Sequence, residues 1–418
     1  MKLDLIQTVA FAGIFLFVGY GLKKLIPPLA RYNIPAPVAG GLPVAAFLTF
    51  AYLRGWQPLA FDTTLQAPLM IAFFTSVGFG ASINLLRRGG PLVIAFTIIA
   101  SVVAAAQNIV GGLAAMALGQ HPLMGVLAGS VTLTGGPATG LAFAPLFEQA
   151  GVAGASTLAV AAAMVGIVAG GLLGGPIGTF LMERQTKRGR ESFSTRLERK
   201  MTPDPILSGA LANLAEPQFP EPVASVPAGE DVEAYGLVKH FVLMMTAMWL
   251  GSWVSGWMAS AGLTLPAYIG AMLVAAVFRN IDDATGLVGM SQRTIDDLGN
   301  VALALFLVMA LMTLRLWELG GLIGPLVVIL TLQVALVALV CLLVIPRLMG
   351  RDYDSVVMAG GFCGFMLGTT ANAMANMGAL VERYGPAPKA YLVVPLVGAF
   401  FIDFINALLI TVALNFWQ

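Results

Sequence analysis

Charge is scarce in this 418-residue chain: Asp, Glu, Lys and Arg together make up 10% of it. A soluble globular chain carries about 25%. So few charges cannot coat a water-facing surface of this size. Cysteine and histidine are nearly absent, at two each. Cys341 and Cys363 lie among apolar or small residues, so no disulfide framework is implied. His121 and His240 stand near the ends of apolar runs without metal-ligating neighbours, and read as interfacial. There is no Walker sequence, which leaves pumping by ATP hydrolysis unsupported. Nucleophiles, bases and metal ligands do not cluster, so the chain reads as no enzyme. A net charge of +1 suggests no nucleic-acid partner. No small-residue cleavage site follows the first apolar run; Lys23 and Lys24 follow it instead, which predicts an uncleaved first span.

What is abundant is apolar length. Hydrophobic residues make up 58% and mean hydropathy is +0.87. Runs such as "LVVILTLQVALVALVCLLVIP" exceed the ~18 apolar residues that mark a membrane span. A β-barrel would need alternating polarity, which is missing. The sequence predicts an all-α, multi-pass membrane protein. Apolar segments fall at 5–26, 34–53, 66–86, 91–118 and 153–181, then at 237–260, 264–279, 297–318, 322–346 and 388–413. A polar, Pro/Ala/Glu-rich linker, 182–236, divides them.

The two sides of that linker resemble each other. "IPAPVAGGLPVAAF" from Ile34 matches "LPAYIGAMLVAAVF" from Leu265, 231 positions on. "AFFTSVGFGASINLLRRGGPLV" from Ala72 matches "ALFLVMALMTLRLWELGGLIGPLV" from Ala304 at an interval of 232. "VLAGS" from Val126 matches "VMAGG" from Val357 at 231. One interval shared by three separate matches predicts an internal repeat, 1–181 and 237–418, of the kind transporters use.

Lys and Arg collect in cytoplasmic loops. Lys23, Lys24 and Arg31, then Arg87 and Arg88, then the seven cations from Arg184 to Lys200 share one face only if five spans precede the linker. The polar, glycine-rich segments 121–145 and 353–380 must then enter and leave on the same face. With both treated as re-entrant hairpins, every Lys and Arg except Lys2, Arg54 and Arg315 falls inside. The two five-span halves are then inverted, with both termini outside and the linker cytoplasmic.

The hairpins carry the expected site. Irregular backbone is tolerated at membrane depth only where protein buries it or it lines an aqueous cavity. Half-helix N-termini present free N–H groups and a positive dipole end to an anion. Threonine hydroxyls and unwound carbonyls are hard donors for an alkali cation, and glycine lets backbone approach a ligand. Ser130, Thr132, Thr134, Gly135, Gly136 and Thr139, with Gly368, Thr369, Thr370, Asn372 and Asn376, form the expected substrate and ion site. Asp403 lies inside the last span, where a carboxylate needs a cavity or a partner, and Asn406 shares its face. Together they could coordinate a cation or a substrate ammonium; with Thr134 they are the expected ligands of an alkali cation. Arg315 reads as snorkelling with Glu318 as its partner. Gln107 and Asn108, mid-span, either line the cavity or bridge helices.

The chain resembles the bacterial sodium/glutamate symporter family. The matching pieces are "IPAPVAGG", "PLMIAFFTSVGF", "PLMGVLAGSVTLTGG", "GNVALALFLVMALM", "LWEL" and "ANMGALVERYGPAPKAYLVVPLVGAFFIDFINALLI". They cover nearly the whole chain except the linker. The resemblance implies a secondary transporter of the bacterial inner membrane, a homodimer that couples Na+ influx to L-glutamate uptake. It also implies a rigid scaffold and a mobile transport unit. Gly135, Gly136, Thr139, Gly368, Asn376, Asp403 and Asn406 match the family pattern. Where that pattern has His and Gly after the first glycine pair, this chain has Pro137 and Ala138. Where it has a small residue, Thr and Pro after the second hairpin's glycine, this chain reads Thr369, Thr370, Ala371, Asn372. Another small carboxylate or amino acid as solute, a proton as coupling ion, and a channel or non-transporting membrane receptor are the competing readings.

Overall fold

The computed structural model describes residues 2–56, 59–84, 90–187, 232–260, 266 and 268–417. Among these every regular element is a helix. The first half contributes α1 (Leu5–Leu25), α2 (Ala36–Leu53), α3 (Gln66–Gly80), α4 (Gly90–Ala117), α5 (Pro122–Val126, continued by a π-turn Leu127–Val131), α6 (Gly136–Gln149) and α7 (Ala155–Lys187). The second contributes α8 (Val232–Ser260), α9 (Tyr268–Thr285), α10 (Gln292–Met312), α11 (Ile323–Leu343), α12 (Tyr353–Leu367), α13 (Thr370–Tyr384), α14 (Pro388–Leu396) and, after a π-turn Val397–Phe401, α15 (Ile402–Trp417). Residues 188–231, most of the linker, lie outside the described residues.

Local chemistry sets the helix ends. Asp4 and Gln7 form a reciprocal capping box on α1, with bonds of 2.8 and 3.1 Å, which satisfies two otherwise free donors. Ser291 caps α10 and Asp352 caps α12. Pro395 precedes the π-turn that separates α14 from α15; its missing N–H interrupts the helical ladder there.

Seven helices among the described residues are long and apolar enough to cross a membrane. Three of the ten expected spans take another form. The segment 66–86 yields the 15-residue α3, about 22 Å long at 1.5 Å per residue. The segment 264–279 yields α9, whose last turns carry Arg279, Asp282 and Asp283. The segment 388–413 is broken by its π-turn. Apolar counting sees composition, not the glycines, prolines and charges that end a helix. Large apolar side chains such as Ile98, Val102, Ile109, Trp249, Trp253 and Trp257 point outward, as an apolar solvent allows and water does not.

The helices form two packing units. One large core joins α4–α7 to α11–α15, with Phe96, Leu123, Phe143, Leu158, Ile329, Phe362 and Ile410 inside it, and it reaches into α3 and α9 through Phe74, Tyr268, Ile269 and Met272. Smaller cores hold α3 with α8, α9 and α10, and α1 with α2 and α10. A separate seam around Val38, Leu141, Val160, Phe306 and Leu311 joins the units.

A glycine groove on α7 seats the second broken helix. Gly166, Gly170, Gly174 and Gly178 recur every four residues on one face. A Cβ on Gly166 would stand 2.3 Å from the Leu367 carbonyl oxygen, and one on Gly178 would stand 2.4 Å from Leu380 Cδ1. Such small-residue stripes let helix backbones approach closely in lipid.

Candidate functional site

α5 and α6 meet in a break at residues 134–135, and α12 and α13 meet in one at 368–369. Each arm is about 15–23 Å long at 1.5 Å per residue, short of a ~30 Å hydrocarbon layer. Gly136 opens α6 at φ +68°, and Gly368 ends α12 at φ −151°, ψ −102°. A Cβ on Gly136 would lie 3.8 Å from the Gly368 carbonyl oxygen. The start of α6 therefore lies beside the second break. Pro137 stands in the first turn of α6, where the N–H that proline lacks would have no helical partner in any case.

The first break is held by side chains buried around it. Ser130 Oγ donates to Asn108 Oδ1 at 2.8 Å, and its backbone N–H does so at 3.2 Å. Thr132 Oγ1 donates to the Leu127 carbonyl at 2.8 Å, within the π-turn. Thr134 Oγ1 donates to Gln107 Oε1 at 2.9 Å, and its oxygen keeps lone pairs for another partner. Thr139 packs on Gly135, where a Cβ would come within 2.5 Å of its own.

In the second break Thr369 caps α13 by accepting the Asn372 N–H at 3.3 Å. Thr370 Oγ1 donates to the Gly398 carbonyl at 2.7 Å, tying the tip to the π-turn of the last helix. Asn372 Nδ2 donates to the Ile167 carbonyl at 2.7 Å. Thr369 and Thr370 are half-buried and Ala371 is exposed. Asn376 lies farther along α13. Its amide donates to the carbonyls of Gly170 and Gly360, at 2.9 and 3.3 Å, so it clamps helices rather than joining the tips.

The last helix completes the cluster. Asn406 Nδ2 donates to the Ser130 carbonyl at 3.0 Å. Asp403, one turn earlier, is half-buried, and among the described residues no hydrogen bond or ion pair holds its carboxylate. Three buried amide oxygens have no hydrogen-bond partner among the described residues: Oδ1 of Asn372, Oδ1 of Asn406 and Oε1 of Gln333. A buried orphan acceptor is costly, and an oxygen left bare while its amide nitrogen is bonded is a hard cation ligand.

Gln107 bridges the two breaks. Besides accepting from Thr134, its Nε2 donates to the Met366 carbonyl at 3.1 Å. Its own carbonyl accepts from Gln333 Nε2 at 2.7 Å. The sequence pattern singles out Gln107 and Asn108 but not Gln333, although a polar residue inside the most apolar helix is itself a signal. Nor does it point to Tyr268. That residue is fully buried, and its hydroxyl has no hydrogen-bond partner among the described residues. Its ring stacks on Phe74 at 3.9 Å and stands edge-on to Phe143 at 5.7 Å. The expected Arg315–Glu318 pair is present at 3.5 Å. His240 is buried rather than interfacial: Nδ1 bonds the Gly236 carbonyl, and Nε2 accepts the Ser291 N–H.

A family model described as sodium/glutamate symporter matches residues 1–386. The chain belongs to the sodium/glutamate symporter family. It is 38% identical over 408 residues to the sodium/glutamate symporter of Haemophilus influenzae, covering 97% of this chain and 96% of that one. It is 39% identical over 410 residues to the sodium/glutamate symporters of Escherichia coli K12 and Shigella flexneri, covering 98% of this chain and 96% of each of them. No solved structure matches it. The family is one of transporters, not enzymes, and its coupling ion is Na+.

Proposed function

We propose that the chain carries L-glutamate together with Na+ into the cell by alternating access, with both held at the facing tips of the broken helices. The helix N-termini at Gly136 and Thr370, on either side of Gly368, suit a carboxylate. The bare amide oxygens of Asn372 and Asn406, with the Thr134 hydroxyl and Asp403, suit a sodium ion. That pairing of anion-seeking N-termini with cation-seeking oxygens at one place is the observation that carries the reading. The expected set of Ser130, Thr132, Gly135, Thr139, Thr369 and Thr370 shapes the same tips.

The broken helices are re-entrant hairpins in this reading, one from each face, within two inverted halves. The short arms and the placement of Lys and Arg support it. The unit α4–α7 with α11–α15 moves against a scaffold of α1–α3 with α8–α10; the cores that the scaffold helices build among themselves support this, and Phe74, Tyr268, Ile269 and Met272 are where the scaffold packs on the moving unit. The bacterial inner membrane as location and a homodimer as assembly belong to the same reading, on the family resemblance.

The deciding experiment is uptake of labelled L-glutamate into proteoliposomes, with and without an inward sodium gradient. The potential is clamped, because one net charge per cycle is worth about 2.3 kcal/mol per 100 mV. Sodium-driven accumulation that collapses with the gradient is the expected result. Sodium-driven transport of another carboxylate, unaffected by excess glutamate, would reassign the solute through Pro137, Ala138 and the Thr369–Asn372 segment.

A further inference from the structure

A cavity of about 460 Å³ lies apart from the tips, between the end of α6, the start of α7 and the end of α10. That size suits a small ligand. Gln66, Glu148, Thr157, Arg315 and Glu318 supply most of its polar lining. Gln66 Nε2 is buried and has no hydrogen-bond partner among the described residues. Arg315 meets Glu318 at 3.5 Å, with its side chain still 68% exposed. Glu148 Oε1 accepts from the backbone and hydroxyl of Ser156, at 3.4 and 3.2 Å; neither contact neutralises its charge. The cavity thus offers two donors for a carboxylate, Arg315 and Gln66, and, besides the Glu318 already paired with Arg315, one further carboxylate, Glu148, for a cation.

We propose that this cavity is a docking subsite for the ammonium and α-carboxylate of an amino acid, L-glutamate on the reading above. Arg315 and the Gln66 amide take the carboxylate, and Glu148 takes the ammonium. The walls come from both packing units. Thr157 Oγ1 donates to the Arg315 carbonyl at 3.3 Å. Glu318 covers Gly154, where a Cβ would stand 3.0 Å from its Oε2. A solute in the cavity therefore touches the scaffold and the mobile unit at once. On the topology above it does so at the outer face, ahead of the tips.

The test uses the full chain carrying Ala153→Cys, an exposed position in the cavity lining; both native cysteines are buried. In sodium-free liposomes, millimolar L-glutamate slows alkylation of the new thiol by about threefold or more, as partial occupancy requires. Glutarate, which lacks the ammonium, does not. Arg315→Met or Glu148→Gln in that background abolishes the protection. Either also raises KM for sodium-driven uptake about fivefold, with kcat kept within about twofold. Equal protection by glutarate overturns the zwitterion assignment. Unchanged alkylation beside intact sodium-driven uptake overturns the subsite and leaves the transport reading standing. Lowered kcat at unchanged KM makes the Arg315 region a structural tie and overturns the subsite too. Failure of the transport reading shows separately, as no sodium-driven uptake by the unsubstituted chain.

Discussion

Gly136 and Gly368 face each other where the two broken helices end, with 3.8 Å between a Cβ on the first and the carbonyl oxygen of the second. They stand 232 positions apart, the interval of the sequence repeat. Thr134 and Met366, at the same interval, touch as well, hydroxyl to sulfur at 3.8 Å. Contact between equivalent residues is what a two-fold axis through the tips requires. The interval recurs in the scaffold. Gly19 admits α2 so closely that a Cβ there would stand 2.9 Å from Gly40 N, and Gly251, 232 positions on, admits α9 at 2.2 Å from Ala271 Cα. These relations support the inverted repeat we propose.

The two tip glycines will not tolerate alanine equally. At Gly136 the space is open, and the penalty is the left-handed backbone, about 1–2 kcal/mol. At Gly368 a Cβ would press within 2.5 Å of Asn372 Nδ2 and 3.1 Å of Ile167 Cα. Asn372 must then leave the Ile167 carbonyl, and its bare oxygen moves with it. Gly368→Ala is expected to lower initial glutamate uptake by about tenfold or more, a loss of ~1.4 kcal/mol or greater in transition-state terms. Gly136→Ala should mainly lower the melting temperature. Equal, small effects on uptake would remove Asn372 from the site.

Gln107 and Gln333 should separate in a melting experiment. Gln107→Leu strands the Thr134 hydroxyl and the Met366 carbonyl, each worth about 1–3 kcal/mol when left unpaired and buried. Gln333→Leu removes one donor but also removes an oxygen that has no partner. Its net cost should stay within about 1 kcal/mol. Thermal unfolding of the two variants without sodium tests the order; a larger loss for Gln333→Leu contradicts it.

The all-helical, multi-pass fold was legible because apolar length is a property of a sequence taken along its length. Ser130, Thr134, Gly136, Gly368 and Asn406 stood out in sequence as polar or small residues inside apolar surroundings, and the structure places them around the two breaks. Asn376 could not be sorted from Asn372 the same way. They are four residues apart on one helix, and only the position of the α7 groove sends one to the tip and the other into packing. Tyr268 stayed hidden because a tyrosine at a span end ordinarily marks the lipid interface, whereas packing against Phe74 and Phe143 buries this one.

Sodium should stabilise the protein, and Asp403 should be why. A ligand that binds only the folded state adds about 2.7 kcal/mol at a hundred times its dissociation constant. Asp403→Asn keeps the shape and removes the charge. Its melting temperature without sodium should match or exceed that of the unsubstituted chain, since a free intramembrane carboxylate is costly. The sodium-induced rise and sodium-driven uptake should both vanish. A normal sodium-induced rise in Asp403→Asn would take this carboxylate out of the ion site.

The α7 groove makes opposite predictions for two of its helix's glycines. At Gly175 a Cβ would have nothing within 4 Å, whereas at Gly166 it would press against the Leu367 carbonyl oxygen at 2.3 Å and Leu133 Cδ2 at 2.5 Å. Gly175→Ala should stabilise by about 0.5–1 kcal/mol, the ordinary gain within a helix. Gly166→Ala gains the same propensity but must push α12 away at the residue beside the second break. Overpacking of this kind costs about 1–3 kcal/mol, and backbone cannot yield as a side chain can. Melting temperatures of the two variants should therefore move in opposite directions. Uptake should fall in Gly166→Ala alone, because Leu367 is joined directly to Gly368, and a displaced helix end carries the tip with it.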